Sequence, residues 1–178
     1  MLTNFKLKVC MYKDHLYPVN KKEYIKNKRK KEHDPNKCIL CSVRDGKDDV
    51  KSLEVYRERN FIITVNLYPY NPGHIMIFPE KHVEDIRELS KKERKILDEL
   101  TVLSINVLEK VYEPDGFNIG INMGKGSGAS IKHLHKHIVP RYQNELGFID
   151  IVGGSKIYIE EPGETLKKLI DGFKKYNK

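Results

Sequence analysis

His133-Leu134-His135-Lys136-His137-Ile138-Val139-Pro140-Arg141 is the most informative run in the chain. Three histidines alternate with other residues and run into a β-branched segment, so a strand is predicted over 134–141. Side chains on a strand point alternately to its two faces, and His133, His135 and His137 therefore share one, roughly 6.5–7 Å apart per pair. Three imidazoles in a row are poor core filler, because each brings polar nitrogens that need partners. Two chemistries suit them. Neutral imidazoles bind metals, or one attacks an electrophilic phosphorus while its neighbours stabilise charge.

The surroundings favour phosphate. A cupin-like metal site would want a glutamate three or four residues after an HxH pair, but positions 139–142 are Val139, Pro140, Arg141 and Tyr142. Upstream lies Gly124-Lys125-Gly126-Ser127-Gly128-Ala129-Ser130, whose small residues let backbone N–H groups approach an anion. Ser130 adds a hydroxyl and Asn122 an amide.

Working outward, residues 53–57 (LEVYR), 61–66 (FIITVN), 74–79 (HIMIFP) and 117–122 (FNIGIN) are short, β-branched or aromatic segments bounded by turn residues, and read as strands. Ser90 with Glu93 forms a capping-box pattern, and Ile96, Leu100, Leu103, Val107 and Val111 follow at helical spacing until Pro114 and Gly116. A second amphipathic helix is predicted after Pro162, with Leu166, Leu169, Ile170 and Phe173 on one face. Strands mixed with two helices, without strict βαβ alternation, predict an α+β domain with a mainly antiparallel sheet.

The chain has 178 residues, enough to bury a core without disulfides. No segment approaches the roughly 18 apolar residues of a membrane span, and no secretion signal is read at the N-terminus. Cys10 stands alone, and Cys38-Ile39-Leu40-Cys41 is a CxxC pair suited to a metal clip or a redox dithiol. A cytoplasmic protein is expected. Eleven Lys or Arg face four Asp or Glu in residues 1–37, against twenty-two and twenty-one in the remainder. Nearly all the net charge of +8 thus lies in a basic N-terminal extension (1–37), with the domain at 38–178. The extension is either simply solvated or a weak electrostatic contact for nucleic acid or a phosphate-rich substrate.

Together with Gly128-Ala129-Ser130, Asn66-Leu67-Tyr68-Pro69-Tyr70-Asn71-Pro72-Gly73-His74 and Gly116-Phe117-Asn118-Ile119-Gly120-Ile121-Asn122, the histidine row resembles the histidine triad (HIT) family over about 38–154. It most resembles the branch of diadenosine tetraphosphate hydrolases and phosphorylases. The resemblance implies a five-stranded antiparallel sheet with two helices, paired into a homodimer. It implies His135 as the nucleophile, forming a covalent nucleotidyl-histidine, and His137 as a charge-stabilising phosphate contact. Asn66, His74, Asn122 and Ser130 would bind the nucleotide or its phosphates, Asn66 near the ribose and His74 in the segment beside the site. Zinc-containing members also imply Cys38, Cys41, His82 and His133 as a structural zinc site, with no organic cofactor.

The implied activity is hydrolysis at the α-phosphate of a dinucleoside polyphosphate or nucleotide conjugate. The alternatives are a diadenosine tetraphosphate phosphorylase or nucleotidyltransferase, and a non-catalytic nucleotide-binding module. Three positions depart from the family pattern. Lys136 stands where an apolar residue is usual, so it must be partly exposed or snorkel outward. Ala129 replaces a common glutamine, and Gln143-Asn144-Glu145-Leu146-Gly147-Phe148 differs from the phosphorylases, which bears on the acceptor.

Overall fold

The computed structural model describes residues 14–15, 38–47, 50–143, 145–147, 152, 155–156 and 159–176. Of the basic extension, only strand β1 (Asp14–His15) falls within these residues. It pairs in parallel with β7 (Ser155–Lys156). The rest of residues 1–37, including Cys10, lies outside the described residues.

Five strands form the main sheet: β2 (Glu54–Glu58), β3 (Phe61–Val65), β4 (Ile75–Pro79), β5 (Gly116–Ile121) and β6 (Lys136–Arg141). Their order is β2-β3-β4-β6-β5, and every pairing is antiparallel. All residues of β3 and β4 are buried, as their apolar sequences, interrupted only by Thr64, require of strands covered on both faces. Alternation sorts those residues. Ile63, Val65, Ile75, Ile77 and Ile138 join the larger core, and Ile62, Met76 and Phe78 join a smaller cluster with Leu40 and Val43.

Helix α2 (Lys91–Tyr112) and helix α3 (Pro162–Tyr176) contribute to the larger core. The capping box expected at Ser90 forms in full: Ser90 Oγ accepts from the Glu93 N–H at 3.2 Å, and Glu93 Oε2 accepts from the Ser90 N–H at 2.7 Å. On α3, Leu169 and Phe173 are buried, with Leu166 and Ile170 packed partly against the same core. Gly172 allows the helices to meet closely, since a Cβ there would fall 2.8 Å from Val111 Cγ2 and 3.0 Å from Val107 Cγ1. A third, short helix unread in the sequence, α1 (Ile39–Arg44), supplies Leu40 and Val43 to the smaller cluster.

The ladder of β6 begins at Lys136, two residues later than the sequence suggested. The alternation nevertheless extends back through His133. Leu134 and Ile138 belong to the larger core, while His137 pairs opposite Met76 and the His133 ring meets Phe78 edge-on at 5.5 Å. The three histidines thus lie on the face turned away from α2 and α3. Lys136 points toward α2, where Nζ donates to Asp98 Oδ1 at 2.9 Å and Thr101 Oγ1 at 3.3 Å, with 13% of its side chain exposed. It snorkels along the helix to a charged end.

Candidate active site and metal cluster

Cys38 caps the N-terminus of α1, so Cys38 and Cys41 project from its first turn. His82 follows β4, and His133 precedes β6. The ligand atoms of these four residues lie within 4.8 Å of one another. His133 Nδ1 stands 3.5 Å from both sulfurs, and His82 Nδ1 stands 3.3 Å from Cys41 Sγ. A tetrahedral zinc with Zn–S about 2.3 Å and Zn–N about 2.0–2.1 Å requires sulfur–nitrogen edges of about 3.5 Å. The donor set and its spacing fit that ion. The other nitrogen of His133, Nε2, donates to the Pro79 carbonyl at 2.8 Å, which leaves Nδ1 bare toward the sulfurs. Burial raises the Cys41 thiol to about 11, with the neighbouring Cys38 adding to the effect. A bound cation would therefore have to displace that proton.

The same fixing of tautomers runs through the rest of the row. His135 Nδ1 lies 2.7 Å from the His133 carbonyl. A carbonyl only accepts, so Nδ1 carries the proton and Nε2 presents a lone pair. Burial lowers the His135 pKa, keeping the ring neutral at pH 7. Its ring meets that of His137 at 4.8 Å and 73°.

His74 is fully buried and settles the state of His137. The Tyr70 backbone N–H donates to His74 Nδ1 at 3.0 Å, so the proton of neutral His74 is on Nε2. That nitrogen lies 3.0 Å from His137 Nδ1 and donates to it. Neutral His137 then carries its own proton on Nε2. Burial first, and then the neighbouring imidazoles, hold His74 down to about 3 and His137 to about 4. The row offers a bare nitrogen on His135 and an N–H donor on His137, side by side.

The other expected residues stand at different depths. Asn66 is half-buried, its oxygen accepting from the Tyr68 N–H at 2.9 Å and its amide nitrogen 3.4 Å from His74 Nδ1. Asn122 is half-buried and follows the last pair of the β5–β6 ladder, Ile121 with Lys136, so the register carries it to the level of His135. Gly120, opposite His137, leaves open space where a side chain would stand. Ser130 is exposed after a turn in which Gly124 and Gly128 adopt positive φ. Among the described residues, no hydrogen bond joins Asn122 or Ser130 to the histidines. Sequence reasoning did not single out Tyr70, whose ring stacks on His74 at 5.0 Å and 19°. Its position four residues before His74, in a turn-rich connector, was the available signal.

A family profile described as "HIT domain" matches residues 47–144, more than half of the chain. The chain belongs to the HIT domain family. Among HIT relatives, a Mycobacterium tuberculosis protein named "AP-4-A phosphorylase" is 42% identical over 110 residues, 61% of this chain and 56% of that protein. A Schizosaccharomyces pombe protein named "Bis(5'-nucleosyl)-tetraphosphatase [asymmetrical]" is 33% identical over 107 residues, 60% of this chain and 59% of that one. The chain thus matches somewhat more than half the length of these relatives. A crystal structure of a zinc-bound histidine triad family protein from Mycobacterium smegmatis superposes with a TM-score of 0.65 at 22% identity, covering 79% of this chain and 95% of that one. That likeness supports the HIT fold.

Proposed function

We propose that this chain hydrolyses dinucleoside polyphosphates or nucleotide conjugates at the α-phosphate, through a covalent nucleotidyl-histidine on His135. The observation that carries the reading is the tautomer set of the row. His135 Nδ1–H is held on the His133 carbonyl, which frees Nε2 to attack phosphorus. In the first step a His135 Nε2–P bond forms and the bond to the departing phosphate oxygen breaks, expelling a polyphosphate or nucleotide. In the second, water attacks phosphorus, the P–N bond breaks, and a nucleoside monophosphate leaves.

His137 would donate its Nε2–H to a phosphate oxygen as charge develops, and Asn122 and Ser130 would add donors around the group. Asn66 would lie near the ribose. His74, having no exposed surface, would act through His137 and not by touching phosphate. Cys38, Cys41, His82 and His133 would hold structural zinc, tying α1 to the segment that presents His135. The edge strand β5, with Asn118, Ile119 and Gly120 exposed, suits pairing with a second copy in a homodimer. A cytoplasmic location and a weak nucleic-acid contact through residues 1–37 complete the proposal. No helix among the described residues is long and apolar enough to cross a membrane.

The relative named as a phosphorylase favours a second reading, in which inorganic phosphate replaces water as acceptor. Chromatography of products from diadenosine tetraphosphate separates the two. AMP with ATP supports hydrolysis, and ADP with ATP appearing only when phosphate is added supports phosphorolysis. Tight nucleotide binding without turnover would reject both in favour of a binding module.

A further inference from the structure

Tyr70 is more than half exposed, at 56%, although its ring lies flat against His74, which has no exposed surface. The two planes are 19° apart and their centroids 5.0 Å apart, so one face of the tyrosine is covered. The other remains open. Its hydroxyl makes no hydrogen bond among the described residues. Burial of His74 does not account for an aromatic surface left so open to water. The backbone N–H of the same residue donates to His74 Nδ1, which ties the chain at Tyr70 to the histidine row.

A rigid aromatic face with one open side is what a nucleobase stacks on, because every base has a π-face. Ring contacts run from His135 to His137 at 4.8 Å, and from His137 to His74 at 5.2 Å and to Tyr70 at 6.4 Å. In that chain of contacts Tyr70 is two links from the attacking imidazole, reached through His137. In an in-line displacement, the departing group lies across phosphorus from the attacker. We propose that Tyr70 is the stacking platform for the nucleobase of the departing nucleotide, and so favours dinucleotide substrates over those that release plain polyphosphate. This rests on the hydrolase reading above.

The test compares kcat/KM for diadenosine tetraphosphate and for adenosine 5′-tetraphosphate, which lacks the second base, in wild type, Tyr70→Phe and Tyr70→Ala. Tyr70→Ala is expected to lower the preference for the dinucleotide about tenfold, mainly through KM, and Tyr70→Phe to retain it. An unchanged preference overturns the proposal. So does an equal loss on both substrates, which would mean that the ring stacks on the retained base or merely covers His74. Wild-type protein inert toward both would instead fail the hydrolase reading and take this inference with it, whereas an active wild type with unaltered Tyr70→Ala kinetics rejects the platform alone.

Discussion

His74 Nε2 lies 3.0 Å from His137 Nδ1, and His74 has no exposed surface. That one contact makes a buried residue set the proton position on its neighbour. A neutral imidazole carries one proton, so occupying His137 Nδ1 as an acceptor sends the His137 proton to Nε2.

Replacing His74 by phenylalanine keeps a ring in the site and removes the donor. His137 is then free to take either tautomer. We predict a fall in kcat of about 10²-fold, in the range of other positioned donors, with KM changed less. Steady-state kinetics on a nucleotide substrate check this. An unchanged kcat would remove His74 from the chain of proton positions.

The four-ligand cluster predicts one zinc per chain in purified protein, measured by elemental analysis. Cys41→Ser should lose it, and chelation should lower the melting temperature. Because the Cys41 thiol sits near 11 without metal, binding must release its proton, and zinc affinity should fall as pH falls. A protein with no metal after expression in zinc-replete medium, and no response to chelator, would contradict the assignment.

Acid stability follows from the buried imidazoles. His74 and His137 have folded pKa values depressed from 6.5 to about 3 and about 4. Above pH 6.5 both states are neutral and their contribution is fully present. As pH falls below 6.5 the unfolded chain takes up protons that the folded one cannot, so stability is lost from about 6.5 down to about 4 for His137 and about 3 for His74. Urea midpoints at pH 7, 6 and 5 should decline steadily, and the His74→Phe variant should decline less.

Gly172 offers a prediction about packing alone. An added methyl meets Val111 and Val107, whose branched side chains have little rotamer freedom in a helix. Overpacking costs about 1–3 kcal/mol, against about 1 kcal/mol gained in helix propensity. Gly172→Ala should therefore lower the melting temperature by a few degrees and Gly172→Leu by more, as seen by thermal denaturation.

Much of this was legible in the sequence because it rests on local patterns. The capping box at Ser90 and the apolar face of the last helix depend on residues three and four apart, and both formed as read. The shared face of His133, His135 and His137 depends on strand alternation, which continues through the three residues preceding the ladder. Contacts across long separations were less visible. That His82 joins Cys41 across 41 residues came from resemblance, not from spacing. The stacking of Tyr70 on His74, and the concealment of His74 behind His137, depend on how the connector folds back, for which the sequence carries no periodic signal.

Every catalytic role proposed for the row depends on a bond between His135 Nε2 and phosphorus. Acid- or base-quenched samples taken during turnover of diadenosine tetraphosphate, analysed by intact mass and peptide mapping, test it most directly. A nucleotidyl adduct is expected on the peptide containing His135, stable in base, lost in acid, and absent from His135→Ala along with turnover. Turnover retained in His135→Ala, or an adduct mapping to another residue, would contradict it.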